Sequence, residues 1–518
     1  MRSLDGQLIC SATDLVGFAA CRHLTGLELA AVRGEIERPR RDDPFVDLLG
    51  RRGDAHEHEV LAGYGTTDVE LIAVDTRTRA GLEAAANATV AAMRAGARMI
   101  YQATFFHDGW AGHADFVERV DARADGRASD LGSWSYRAVD AKLAQRVKPD
   151  ALLQLAEYSE QITRIQGVAP EVVVVMTGDG ARHEVPLDDV ADKHRRIKAE
   201  FRAALSTPHE TYPDPVGRCR VCRWVTLCDE RRRADDHLGF VARIRPDQIT
   251  KLAAVGITTR RALADGPPAS PTPKLAAAVY DRLRRQASLQ VRGEGRARPR
   301  FEVLDATLAG LPAPSSADLF LDLEGDSVSV EGGLEYLFGF VELVDGTRTY
   351  RPFWAHSRFG ERFAFEAAID CIAARRRVCP DLHVYHYAGY ETNALTRLAR
   401  QHRTRVAELD ALLHEGVFVD LYQVVKQSLM LSTESYGLKS VERLYQPERR
   451  GAVLDAGSSM VAYAEYLADP DPDRLVEIAA YNRGDCESLV LLQAWLEARR
   501  SDSVQPCPPP PSPPPPSP

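Results

Sequence analysis

Apolar residues along this chain fall into two spacings. Short continuous runs, VVVVM (172–176), YRAVDAK (136–142), DLFLDLEGD (318–326), EYLFGFVELV (335–344) and LHVYHY (382–387), predict strands. Longer stretches repeat at three to four residues, and ALLQLAEYSEQI (151–162) predicts a helix on which Gln154 and Tyr158, four apart, share a face. DQITKLAAVGITTRRALADG (247–266) predicts two short amphipathic helices around Gly256-Ile257-Thr258, followed by a basic stretch, RLRRQASLQVRGEGRARPR (282–300). The last stretch, SDSVQPCPPPPSPPPPSP (501–518), is low in complexity, and its prolines favour extended polyproline II. Four segments follow: 1–232, mixed helix and strand; 233–300, a helical connector; 301–500, a second mixed segment; and a disordered 501–518. The expected fold class is α/β multidomain, with no internal repeat.

Length changes this picture little: 518 residues are too many for one core, and roughly two to four domains are expected. No apolar run approaches the about 18–20 residues of a membrane span, and MRSLDGQLICSATDL lacks the apolar core of a signal peptide. A cytoplasmic protein without disulfides and without a membrane partner is expected. The net charge of −9 excludes an all-over basic nucleic-acid binder but allows a local basic channel.

Candidate chemistry changes the picture more. Asp115 in GHAD, then Asp140 and Lys142 in VDAK, then Gln154 and Tyr158 in QLAEY, form a spaced set. Two carboxylates can hold a hard divalent cation, and a lysine two residues after the second can orient water or offset charge on a phosphate. Cys219, Cys222 and Cys228 sit as C-x2-C-x5-C, with Cys21 about two hundred residues earlier. Such a set fits a metal or cluster site stapling the ends of a domain, or buried cysteines without a ligand. Cys10, Cys371, Cys379, Cys486 and Cys507 show no ligand spacing.

A second acid set lies in 301–500. Asp322 and Glu324, two apart on a strand, point to one face. Glu391 follows the strand at 382–387, and Asp485 lies four residues after Tyr481 in YNRGDCESL. Four such acids can hold two cations about 4 Å apart for in-line phosphoryl displacement, with Tyr481 positioning water.

The first set, its cysteines, SATDLVGFAACRHL (11–24) and GRRGDAHEHEV (50–60) resemble the iron–sulfur nucleases of the RecB-like PD-(D/E)XK group over about residues 5–232. The resemblance implies a restriction-endonuclease-like domain in which His56, Asp115 and Asp140 bind Mg2+ or Mn2+ and Lys142 acts on water and phosphate. Gln154 and Tyr158 would support the site or contact nucleic acid. Cys21, Cys219, Cys222 and Cys228 would hold a [4Fe–4S] cluster, with zinc as the alternative. The second set resembles the DEDD exonucleases of the RNase H-like superfold, in the variant with tyrosine in the third motif; FVDLYQVVKQ (418–427) and SYGLKSVERLY (435–445) are similar to the segment between the second and third motifs. Glu391 departs from the more usual Asp. The connector's Leu252-x3-Gly256-Ile257-Thr258 is similar to a helix–hairpin–helix module. The layout as a whole resembles RecB-like nucleases fused to an RNase H-like domain. It implies a metal-dependent exonuclease acting on DNA, single-stranded ends above all, in repair, recombination or defence, with a separate helicase as a candidate partner. Two alternatives are a ribonuclease and a nucleic-acid-binding adaptor with unused sites.

Overall fold

The computed structural model describes residues 1–503 apart from 41, 66–68, 73–76, 122–125, 208–209, 306, 309, 327–332, 345, 447–448, 450 and 452. The proline-rich run after 503 lies outside the described residues, and the last helix, Pro472–Ser503, crosses the boundary expected at 500. The chain divides into two compact units, one built on Met1–Ala234 and the other on Asp235–Asp326 with the residues from Leu334 onward. Among the described residues no helix is long and apolar enough to cross a membrane.

The first unit is a six-stranded mixed sheet in the order Val69–Leu71, Met99–His107, Trp110–Val120, Ser135–Lys142, Val172–Thr177, Arg182–Pro186. The first pair and the Ser135–Lys142/Val172–Thr177 pair are parallel, and the others antiparallel. The unbroken valines are explained by burial on both faces. Val173 and Val175 join Leu155 and Ile162 of the helix Pro149–Gln166. Val174 turns the other way, to Phe116 and Val139, against which Val60 and Tyr64 of the helix Pro44–Tyr64 pack. Gly167 ends the helix Pro149–Gln166 at φ 75°, a left-handed turn that favours glycine.

The second unit holds a five-stranded sheet in the order Thr347–Trp354, Leu334–Val344, Leu319–Asp326, Val384–His386, Phe418–Asp420. The first two pairings are antiparallel and the last two parallel. The strand Thr347–Trp354, TRTYRPFW, has no apolar run and is absent from the reading of the sequence; its pairing along Leu334–Val344 supplies the order its own side chains do not. Strand alternation sets the site. Leu319, Leu321 and Leu323 face Phe365, Ile369 and Ile372 of the helix Arg358–Val378. Phe320 faces the opposite layer, with Leu489, Leu492 and Leu496 of the helix Pro472–Ser503. Asp322 and Glu324 are in step with Phe320, and so meet that long helix.

The connector segment falls within the second unit. Its helices Pro246–Ala253, Arg260–Ala264 and Ala277–Gly293 share a small core around Leu252, Leu263, Tyr280 and Leu283. The two expected short helices are present, joined through Gly256 at φ 83°, where Ile257 N–H donates to Leu252 O at 3.1 Å. The buried Gln286 then joins the connector to the sheet domain, donating to Leu431 O at 2.7 Å and accepting from Tyr436 Oη at 3.0 Å. Gln290 accepts from Ala242 N–H at 3.0 Å, and Ala242 sits in the same core as Phe320.

Candidate active sites

In the second unit, Asp322, Glu324 and Asp485 each bring a carboxylate oxygen within 4.8 Å of the others. Asn482, one turn before Cys486 on the long helix and fully buried, fixes Asp322 by donating to its backbone O at 3.1 Å and its Oδ2 at 2.8 Å. Tyr350 Oη donates to Asn482 Oδ1 at 2.8 Å. Asp322 lies opposite Gly339 in the ladder, and a Cβ there would stand 1.6 Å from Asn482 Oδ1. Glycine at 339 is therefore what admits Asn482 to the strand.

Burial, then Asp485, Glu324 and Glu391, push the Asp322 carboxyl well above its ordinary range. Burial raises Glu324 to about 8, with Ser459 opposing and Asp485 adding. Two cations answer this charge at Asp485: Lys439 Nζ donates to Oδ1, and Arg449 Nη2 stands 2.7 Å from the same oxygen. Lys439 Nζ also lies 4.6 Å from the centre of the Tyr481 ring. Burial and the neighbouring acids keep the Tyr481 phenol protonated far above its ordinary range. Glu391 stands apart from the three converging acids. It begins the helix Tyr390–His402, buried, with His386 Nδ1 3.4 Å from its Oε2, and neither atom has a hydrogen-bond partner. Burial raises its carboxyl, and His386 opposes the shift. Three crowded buried acids, with an unpartnered carboxylate oxygen on a fourth, suit a divalent cation site.

In the first unit, Asp115 lies on Trp110–Val120, and Asp140 and Lys142 on the adjacent Ser135–Lys142, just beyond the ladder pair Phe116–Val139. Ala141 N–H donates to Asp115 Oδ2 at 2.9 Å, and Lys142 Nζ to Asp140 Oδ1 at 2.7 Å. Asp140 Oδ2 is buried without a partner. Burial, then the Asp140 carboxylate, raises Asp115 to about 8. Burial alone would lower Lys142, but Asp140 and Asp115 hold it above its ordinary value. These residues, too, suit a divalent cation. His56 makes its polar contacts elsewhere. Its Nε2 stands 3.4 Å from Met176 O and its Nδ1 4.0 Å from Glu59, because its side of the helix Pro44–Tyr64 packs on the neighbouring strand. Glu57, one residue on, accepts from Gln102 Nε2 and feels the site's charge: burial and then the Asp115 charge raise its carboxyl, and its own charge acts on Lys142. GRRGDAHEHEV contains both residues, and only the helix phase distinguishes them. Gln154 Nε2 donates to Tyr158 Oη at 3.3 Å, and Tyr158 is buried against Phe105 and Gly112. The pair therefore supports the sheet behind the acids.

One feature of this unit is not legible from spacing. A buried ionic knot behind the Tyr158 helix joins Glu157 to His194 at 2.9 Å and to Lys198 at 2.9 Å. Although burial alone would raise Glu157, these partners hold it below its ordinary value. The four separated cysteines Cys21, Cys219, Cys222 and Cys228 line one cavity with Leu24, Leu27 and Trp224. No three of their sulfurs lie within 4.8 Å of one another, whereas tetrahedral zinc with Zn–S near 2.3 Å would hold them about 3.8 Å apart. The donor set is one that could hold a metal centre. Burial raises Cys228 to about 11, so binding would displace its proton.

Residues 319–497 match a family model described as RNase_H superfamily. The match spans the five-stranded sheet and reaches the long helix bearing Tyr481 and Asp485. No curated protein matches the chain.

Proposed function

We propose that this protein is a metal-dependent nuclease that hydrolyses phosphodiester bonds of DNA, with single-stranded ends as its favoured substrate. The convergence of Asp322, Glu324 and Asp485 inside an RNase H-like domain carries this reading. These three, with Glu391, would hold Mg2+ or Mn2+. Such a cation, when bound, supplies charge to a phosphoryl group and acidifies water. Asn482 keeps Asp322 aimed at the site. Tyr481, protonated and beside Asp485, is suited to orient the attacking water. Lys439 is suited to offset negative charge that develops on the phosphate.

The first unit is proposed as a second nuclease domain of the RecB-like PD-(D/E)XK kind, using Asp115, Asp140 and Lys142. Its four cysteines, which line one cavity, would hold a [4Fe–4S] cluster, with zinc as the alternative. The connector, 233–300, would serve as a helix–hairpin–helix-like element.

The test is cleavage of labelled single-stranded DNA and RNA with Mn2+ by protein purified without oxygen, beside Asp140→Ala and Asp322→Ala. Each substitution should remove the share of cleavage made by its own unit and leave the rest, and faster loss of RNA than DNA would shift the reading to a ribonuclease. If neither substitution slows cutting, both site assignments fail. A colourless preparation containing zinc would remove the cluster and leave the nuclease reading standing.

A further inference from the structure

The basic stretch 282–300 is not uniformly available to a ligand. Arg284 pairs with Asp281 at 3.3 Å, and Arg285 and Arg292 share Glu302 at 3.6 and 2.6 Å. Arg260 and Arg261 of the connector are both taken by Glu294. Arg282 differs. It is exposed, and among the described residues no carboxylate lies within 4.0 Å of it. The charges of Arg243 and Arg245 act on it instead.

Arg243 also lacks a carboxylate among the described residues. It is held in a left-handed backbone at φ 65°, with Nη1 donating to Lys426 O at 3.1 Å and its guanidinium 5.5 Å from the Tyr436 ring centre. Lys426, likewise without a carboxylate, lies 5.7 Å from the centre of the partly exposed Tyr422 ring. Tyr422 packs edge-on against Tyr387 at 5.6 Å, and Tyr387 follows His386, the neighbour of Glu391. A line of uncompensated cations and an aromatic ring thus runs from the connector to the edge of the acid site. Positive charge tracks phosphates, and a ring face accepts an unpaired base.

We infer that Arg282, Arg243, Lys426 and Tyr422 form a docking track for a single-stranded polynucleotide entering the Asp322 site. This rests on the reading of that site as one that acts on nucleic acid.

Binding is measured by fluorescence anisotropy on the full chain, with no divalent cation added and a labelled oligo(dT) of about 20 nucleotides as probe. Arg282→Ala with Lys426→Ala should weaken binding about tenfold and flatten the salt dependence, log K against log [salt], by about 1.4, from two phosphate contacts of about 0.7 each. Tyr422→Leu should weaken binding about tenfold with the salt dependence unchanged. Arg405→Ala, which breaks an existing pair with Asp370, should bind as the wild type does. The track is overturned if the double variant keeps wild-type affinity and slope. The single-strand assignment is overturned if a duplex of equal length binds as tightly and loses as much. Wild-type protein that binds no polynucleotide would overturn the nuclease reading along with the track, whereas wild-type binding with unchanged variants overturns the track alone.

Discussion

Gly339→Ala separates strand propensity from site architecture. In a strand interior, alanine in place of glycine should by itself stabilise, by up to about 1 kcal/mol. Here the added methyl would stand 1.6 Å from Asn482 Oδ1, and both residues are buried. Asn482 must leave its seat, losing its bonds to Asp322 O and Oδ2 and the one from Tyr350. At about 0.5–1.5 kcal/mol each, three hydrogen bonds amount to about 1.5–4.5 kcal/mol. The unit should then melt about 5–10 °C lower. Differential scanning calorimetry of Gly339→Ala, Asn482→Ala and the double variant forms the cycle. Because Asn482→Ala removes the obstruction, adding Gly339→Ala to it should cost almost nothing more. Additive losses, or a Gly339→Ala protein as stable as wild type, would refute the reasoning.

Three further outcomes are expected. Asp322, Glu324 and Asp115 all bind their protons more tightly in the fold than in the unfolded chain, so without added metal stability should fall as pH rises from the ordinary carboxylate range through about 8, where Glu324 and Asp115 release theirs. Thermal melts across that range check this: Mn2+ should restore more stability at the alkaline end, Asp322→Asn should flatten the curve, and a rise with pH would contradict it. Lys198→Met leaves Glu157 buried with His194 alone and should cost about 3–5 kcal/mol in urea unfolding, a loss that Glu157→Leu in the same chain should partly reverse. In an Asp322→Asn background, Glu57→Gln should reduce Mn2+-dependent cleavage by the first unit about tenfold and His56→Gln much less, and the opposite ranking would return the ligand role to His56.

What the sequence displays follows from which constraints are local. Strand alternation placed Asp322 and Glu324 on one face, and the Y-x3-D spacing placed Tyr481 above Asp485, because both depend only on backbone period. The strand Thr347–Trp354 was not legible, since its order comes from a partner and not from its own apolar pattern. Asn482 and Gly339 were not legible either, although Asn482 lies inside the quoted YNRGDCESL. Their relation spans 143 positions and appears only when the ladder register is known. His56 and Glu57 show the same limit at shorter range: adjacent residues of one motif differ by about 100° around the helix, and only packing decides which faces the acids. Lys439, although inside the quoted SYGLKSVERLY, and Arg449 were not singled out, being ordinary basic residues until the fold brings both to Asp485.

The joint between connector and sheet domain has a consequence for how the molecule can be divided. A fragment beginning at Phe301 would keep all the acids of the RNase H-like site and every strand of its sheet. It would also lose Gln286 and its bonds to Leu431 and Tyr436, along with Ala242 from the core. The strand Phe301–Val303 would still pair with Leu429–Leu431, but the helix at its back would be gone. The smallest autonomous portion of this half therefore begins near Asp235. Gene fusions or truncations that respect that seam should yield a cooperatively melting species, whereas those cut at 301 should yield one prone to aggregate.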